Sequence, residues 1–216
     1  MTPAIAARDV KLHDLKARLG LQRSQDQSFF PEWSTGLPSL TKAEQHALDR
    51  IQRNYLYLLE YPVMESIVKM VVLSPLLDLA GFYEHPFRVD GETNIRVQAE
   101  DEGVIIQGRI DVLVIQENFW VTVIEAKNSD FSINKALPQA LVYALDAPQP
   151  DKRAYGLVLN GSEFLFLKLV RNGVPQYATS NLFSLLNQGN DLYSVLRVLK
   201  SLKDRQEARN VGQNGL

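Results

Sequence analysis

The chain has 216 residues, 45% of them hydrophobic and 22% charged, with 23 basic against 25 acidic side chains and a formal charge of −2. That length supports one substantial domain rather than two large ones, and the composition excludes a disordered chain. Balanced charge offers no overall attraction to a polyanion, and the absence of cysteine excludes disulfides, a thiol nucleophile and a thiolate metal cluster.

Arg8 and Lys11 stand near the start without a continuous apolar run behind them, so the segment does not read as a secretory signal. No later stretch approaches an uninterrupted membrane span; a soluble cytoplasmic protein with no membrane association is expected. Residues 1–40 read as an arm packed on the domain. The arm has a short helix around Ala6 to Leu19, then a Pro/Gly-punctuated stretch through Phe29, Phe30, Pro31, Trp33, Gly36 and Pro38. Its aromatics can contact bases, but an isolated cluster of this kind more often anchors a segment to the protein's own surface.

Residues 41–207 read as a single α/β domain, followed by a polar tail over 208–216. Thr41 and Glu44 have capping-box spacing, and Leu48, Ile51, Tyr55, Leu58 and Leu59 recur on one helical side. Pro62 interrupts this run or begins a second helix carrying Val63, Met64, Ile67, Val68, Val71 and Val72. Past Gly81 the texture becomes β-like. Phe87 and Val89 suggest a short strand, Asn94 to Ala99 alternates, and Val104 to Ile106 and Ile110 to Ile115 flank Gly108. Phe119 to Ile124 is a further strand, antiparallel to its predecessor in the simplest reading.

Asn134 to Leu145 suits a helix if Pro138 sits in its first turn. Ala154 to Leu159 and Glu163 to Val170 are read as a hairpin about Asn160–Gly161. A C-terminal helix beginning near Asn190 carries Leu192, Val195, Leu196, Leu199 and Leu202.

One constellation carries chemistry. Asp111 lies in Gly108-Arg109-Ile110-Asp111-Val112-Leu113-Val114, and Glu125 and Lys127 end the next β-like run in Val123-Ile124-Glu125-Ala126-Lys127-Asn128. A hairpin can bring Asp111 near Glu125, and the period of two puts Glu125 and Lys127 on one side. Converging carboxylates repel each other and lose hydration, a cost that a divalent cation removes. Carboxylate oxygens, a backbone carbonyl near Ala126 and water suit Mg²⁺ or Mn²⁺; His13, His46 and His85 are too dispersed for a histidine zinc site. Such a cation can orient water and stabilise charge on phosphate oxygens, with Lys127 adding positive charge. Against this, a Glu-x-Lys triplet arises by chance about once in a chain of this length, and polar residues at strand ends are commonly solvated ion pairs.

An acid on one strand followed by Glu-x-Lys at the end of the next resembles the PD-(D/E)XK nuclease superfamily, with Ile110 in place of the usual proline before Asp111. Gln139-Ala140-Leu141-Val142-Tyr143 is similar to the Gln-x-x-x-Tyr element of RecB-like and type I restriction-subunit nuclease domains. The resemblance covers about Tyr61 to Val170. It implies a restriction-endonuclease-like mixed β-sheet flanked by helices and a metal-dependent deoxyribonuclease. Asp111, Glu125, Lys127, Gln139 and Tyr143 are then the catalytic set. Glu65, Asp111, Glu125 and the Ala126 carbonyl are the implied Mg²⁺ or Mn²⁺ ligands, with Glu60 the weaker alternative to Glu65. Gln139 and Tyr143, together with Arg109 and Lys135 beside the site, are candidate contacts to DNA, expected to be double-stranded.

No Gly-x-x-x-x-Gly-Lys-[Ser/Thr] phosphate loop is present, so ATP-driven translocation requires a separate motor subunit. A homodimer that presents two cuts to opposite strands is also compatible with the sequence, and defence and DNA repair both fit the resemblance. Two rivals stand beside the nuclease reading: a noncatalytic nuclease-like DNA-binding or structural partner protein, and an unrelated α/β domain with an accidental constellation.

Overall fold

Lys42–Leu58 forms helix α2 because its apolar residues recur at helical spacing and its start is capped on both sides. Glu44 N donates to Thr41 Oγ1 at 3.2 Å and Thr41 N to Glu44 Oε2 at 2.6 Å. Leu48, Ile51 and Tyr55 are buried, whereas Leu59 is exposed beyond the helix end. The computed structural model describes residues 4–99, 104–115, 119–123, 133–146 and 153–213. Side chains of residues 92–99, 107–115, 119–123 and 205–213 lie outside the described set, as do those of Ala4, Ile5, Arg8, Val104, Ile105, Asn134, Lys135 and Asp146.

The second helix read after Pro62 is a composite: α3 (Glu65–Val68), a π-helical turn (Lys69–Leu73) and α4 (Ser74–Ala80), which holds Pro75 in its first turn. The short β-like runs that follow are longer strands than their sequence suggests. β3 (Arg88–Ala99) and β4 (Val104–Ile115) pair antiparallel along their whole length, carried through Gly91 and Gly108 by the ladder.

β5 (Phe119–Val123) pairs antiparallel with β4, α5 (Ile133–Asp146) follows, and β6 (Arg153–Leu159) returns parallel to β5. Pro138 falls in the second turn of α5 rather than the first, at a position whose missing N–H would otherwise bond within the helix. Burial of Ala136, Ala140, Leu141, Val142, Tyr143 and Ala144 on this helix outweighs that local penalty.

β6 and β7 (Glu163–Val170) form the expected hairpin, with the turn displaced by one residue. Asn160 N donates to Glu163 O, so Gly161 and Ser162 are central, and Gly161 takes φ +97°. Both faces of these strands are buried. Tyr155, Leu157, Leu159, Phe164 and Phe166 join a core built by α2, α4 and α6 (Leu192–Gln213); Ala154, Val158, Leu165, Leu167 and Leu169 join a second core under α5. Helix α6 continues through Gln213, past Glu207, where the apolar periodicity stops.

The arm is more than a packed appendage, because it supplies strands. β1 (Ala4–Ala6) pairs parallel with Ile105–Gln107 of β4, and β2 (Gln22–Arg23) pairs parallel with β8 (Gln176–Thr179) at the other side of the sheet. Between them, α1 (Leu12–Leu19) places Leu15 in the second core. Phe30 is buried in the first core, with Phe29 and Trp33 packed against it, so the arm's aromatics anchor it to the domain. β9 (Phe183–Ser184) pairs with β7 to complete a nine-stranded mixed sheet flanked by helices. Among the described residues no helix is long and apolar enough to cross a membrane.

Candidate functional site

The β3–β4–β5 meander sets the level of Asp111 in the sheet. On one edge of β4, the pairs Gly91↔Val112 and Thr93↔Ile110 bracket it, so Glu92 of β3 holds the register position opposite. On the other edge, Val112↔Val121 and its neighbours run one step short, and the same register puts Thr122 level with Asp111. Opposed residues of an antiparallel pair have Cα atoms about 4.5–5.5 Å apart. The register therefore juxtaposes two carboxylate-bearing residues, Glu92 and Asp111, near the carboxyl end of β5. Glu92 falls between the two strand candidates read at Phe87–Val89 and Asn94–Ala99, and only the continuous strand over 88–99 puts it opposite Asp111.

Like charges directly opposed across a ladder destabilise a sheet. A hard divalent cation with oxygen ligands is one kind of counterion that relieves such opposition. Glu125, Ala126 and Lys127 lie outside the described residues, two positions and more beyond Val123, the last described residue of β5. Arg109 stands on β4 opposite Asn94, and Lys135 in the first turn of α5; both side chains are outside the described set. Among the described residues no three His, Asp or Glu side chains converge in a metal-holding group.

Gln139 and Tyr143 do share a face of α5. Gln139 Nε2 donates to Tyr143 Oη at 2.5 Å, and Tyr143 is 1% exposed. A hydroxyl buried to this degree is set to orient Gln139 rather than to meet a phosphate; Gln139 is the half-buried, reachable member. Glu65, at the start of α3, is half-buried and forms an intrahelical ion pair with Lys69, while Glu60 is exposed after α2. The carboxylate of Glu65 is thus engaged one turn along its own helix.

A different charged pair is deeply buried. Lys168 Nζ on β7 donates to Glu32 Oε1 at 2.8 Å and to Phe29 O at 2.8 Å, and Tyr155 Oη donates to the same carboxylate oxygen at 2.8 Å. Burial by itself raises the Glu32 carboxyl, but the Lys168 hydrogen bond and charge and the Tyr155 hydroxyl hold it below the ordinary carboxylate range. This network joins the arm to β6 and β7, and the aromatic neighbours of Glu32 in sequence do not signal its distant partner. Two cavities of about 640 Å³ each flank β2, sharing Arg23 and Gln25, on a strand separated from β5 by β6, β7 and β8. They do not include any of the sequence-predicted site residues.

No protein-family model matches this chain, and no match to a curated protein is found.

Proposed function

We propose that the protein is a Mg²⁺-dependent deoxyribonuclease of restriction-endonuclease-like fold, acting on double-stranded DNA, with Asp111, Glu125 and Lys127 at its centre. The observation that supports it best is the ladder level shared by Glu92, Asp111 and Thr122, at the carboxyl end of a strand whose sequence continues into Glu125-Ala126-Lys127. An antiparallel meander followed by α5 and a strand parallel to β5 is also consistent with this fold.

In this reading Asp111, Glu125 and the Ala126 carbonyl hold the cation, and Glu92 is an additional carboxylate beside them. The cation, when bound, supplies charge stabilisation at the phosphate and a more acidic water. Lys127 holds that water by hydrogen bonding and offsets negative charge developing on the phosphate oxygens. Gln139, oriented by Tyr143, faces the same reaction as a hydrogen-bonding group.

The register adds a condition. In an unbroken ladder Asp111 shares a face with Thr122, and Glu125, three positions on, falls on the other face. One common site requires a single extra residue between Thr122 and Glu125, a β-bulge of the kind found beside active sites.

The test is metal-dependent cleavage of linear, circular and single-stranded DNA by wild type, Asp111→Ala and Lys127→Ala. Wild type cuts duplex DNA with Mg²⁺ or Mn²⁺ and both variants lose at least about 100-fold in rate, the scale expected for removing charge stabilisation from a reacting phosphate. Folded wild type that cuts none of the substrates overturns the enzyme reading in favour of a noncatalytic DNA-binding or structural role. Activity retained by both variants overturns the assignment of residues.

A further inference from the structure

Helix α2 turns Leu48, Ile51 and Tyr55 into the core. At 100° per residue, Lys42, His46, Arg50, Arg53 and Tyr57 occupy the opposite side, and all five are exposed, Tyr57 by 62%. Four groups that carry or can carry positive charge thus follow one another over a rise of roughly 16 Å. In a chain of net charge −2, such a row would ordinarily be interleaved with acids.

The acids of this helix are committed elsewhere. Asp49, the i,i+4 partner of Arg53, accepts hydrogen bonds from Asn190 Nδ2 at 3.1 Å and Tyr193 Oη at 2.9 Å and feels the charges of Arg53 and His46 without an ion-pair contact. Glu44 closes the N-terminal cap and pairs with Lys200 Nζ at 2.6 Å. Among the described residues Lys42, His46, Arg50 and Arg53 form no ion pair. Both acids are thus hydrogen-bonded to other groups, and the four cationic side chains stay exposed to solvent.

The C-terminal part of α2 packs at the end of the sheet where β5 finishes. Tyr55 packs on Gly161 in the β6–β7 turn, and Leu159, just before that turn, is paired with Val123 at the end of β5.

We propose that the outer face of α2 is a docking surface for the phosphate backbone of duplex DNA, with His46, Arg50 and Arg53 as the main contacts and Lys42 and Tyr57 at its ends. The inference rests on the nuclease reading for the identity of the polyanion. The row of exposed cations gives charge complementarity without any base-reading recess, which fits sequence-independent backbone contact. A single strand would call for a succession of stacking aromatics along the row, and here an aromatic stands only at one end.

The experiment is fluorescence anisotropy of the full chain with a labelled blunt DNA duplex in EDTA, across a salt series. It compares wild type with Arg50→Ala/Arg53→Ala and Arg50→Lys/Arg53→Lys, each checked for an unchanged melting temperature. Wild type binds, the alanine pair weakens binding about 10-fold or more, and the slope of log Kobs against log salt becomes shallower by about 2, one unit per lost phosphate contact. The lysine pair keeps the wild-type slope. Absence of duplex binding by wild type, an alanine pair with unchanged affinity and slope, tighter binding of the matching single strand, or equal competition by polyglutamate each overturns the proposal. Binding that depends on Arg50 and Arg53 without any metal-dependent cleavage leaves this surface standing and removes the nuclease reading. Cleavage that depends on Asp111 but not on the arginines does the reverse.

Discussion

Lys168 of β7 and Glu32 of the arm meet at 2.8 Å with both side chains buried, and Tyr155, directly across the ladder from Lys168, donates to the same carboxylate oxygen. Removing one partner leaves the other charge uncompensated in the core, at a cost of about 3–5 kcal/mol. Lys168→Met is therefore expected to destabilise the domain by that amount in urea unfolding, and Glu32→Gln/Lys168→Met by less than Lys168→Met alone. A double variant as unstable as the sum of its parts would show that the pair does not act as a unit.

The same pair sets an acid limit. The folded Glu32 carboxyl lies below its unfolded value, so its contribution is full above the ordinary carboxylate pKa of about 4.3 and is lost as pH falls through the depressed folded value. Melting temperatures of wild type and Glu32→Gln are expected to differ most near neutral pH and to converge as pH falls below the ordinary carboxylate range and through the depressed folded value. A difference independent of pH between 7 and 3 would assign the loss to packing.

Glu92 tests the site independently of the sequence motif. If it shares a cation with Asp111, Glu92→Gln raises the Mg²⁺ concentration for half-maximal cleavage roughly 10-fold or more, the lower end of the range for groups that support a metal site. If the opposed carboxylates merely repel each other, the same variant stabilises the fold and leaves the Mg²⁺ dependence unchanged.

Gln139 and Tyr143 separate positioning from DNA contact. With its hydroxyl buried, Tyr143 acts through Gln139, so Tyr143→Phe is expected to lower kcat with little change in KM for DNA. Gln139→Ala lowers kcat further. A rise in KM with unchanged kcat in either variant would instead assign that residue to ground-state binding of the backbone.

Gly161 carries a steric prediction. A Cβ there would lie 2.9 Å from Tyr55 Cζ, in a backbone conformation of φ +97° that L side chains rarely adopt. Gly161→Ala is expected to cost about 2–4 kcal/mol, from positive-φ strain together with displacement of a buried ring. Gly173→Ala, at φ +78° with open space around it, is expected to cost only about 1–2 kcal/mol. Equal losses at the two sites would remove the packing component.

Local pattern in the sequence determined most of the helices and the succession of strands from β3 to β7. The capping box at Thr41, the apolar spacing of α2, α5 and α6, and the Asn160-Gly161 turn signal all act between residues a few positions apart, where backbone geometry and side-chain period dominate. The candidate trio was visible for the same reason, since two acids and a lysine interrupt runs that otherwise favour burial. Only the tertiary structure decided which partners those elements take. The arm became two strands because the ladder satisfied its backbone groups at Ile105–Gln107 and at β8. Glu92 came opposite Asp111 because one continuous hairpin spans Gly91. Asp49 gained hydrogen bonds from Asn190 and Tyr193 because α6 and the residues before it pack beside α2. Glu32 could be buried only beside Lys168, more than a hundred residues later. Periodicity reports which face of an element avoids water; it does not report which distant charge or hydrogen-bond donor will compensate a polar group on that face. That compensation is settled by the packing of the whole chain.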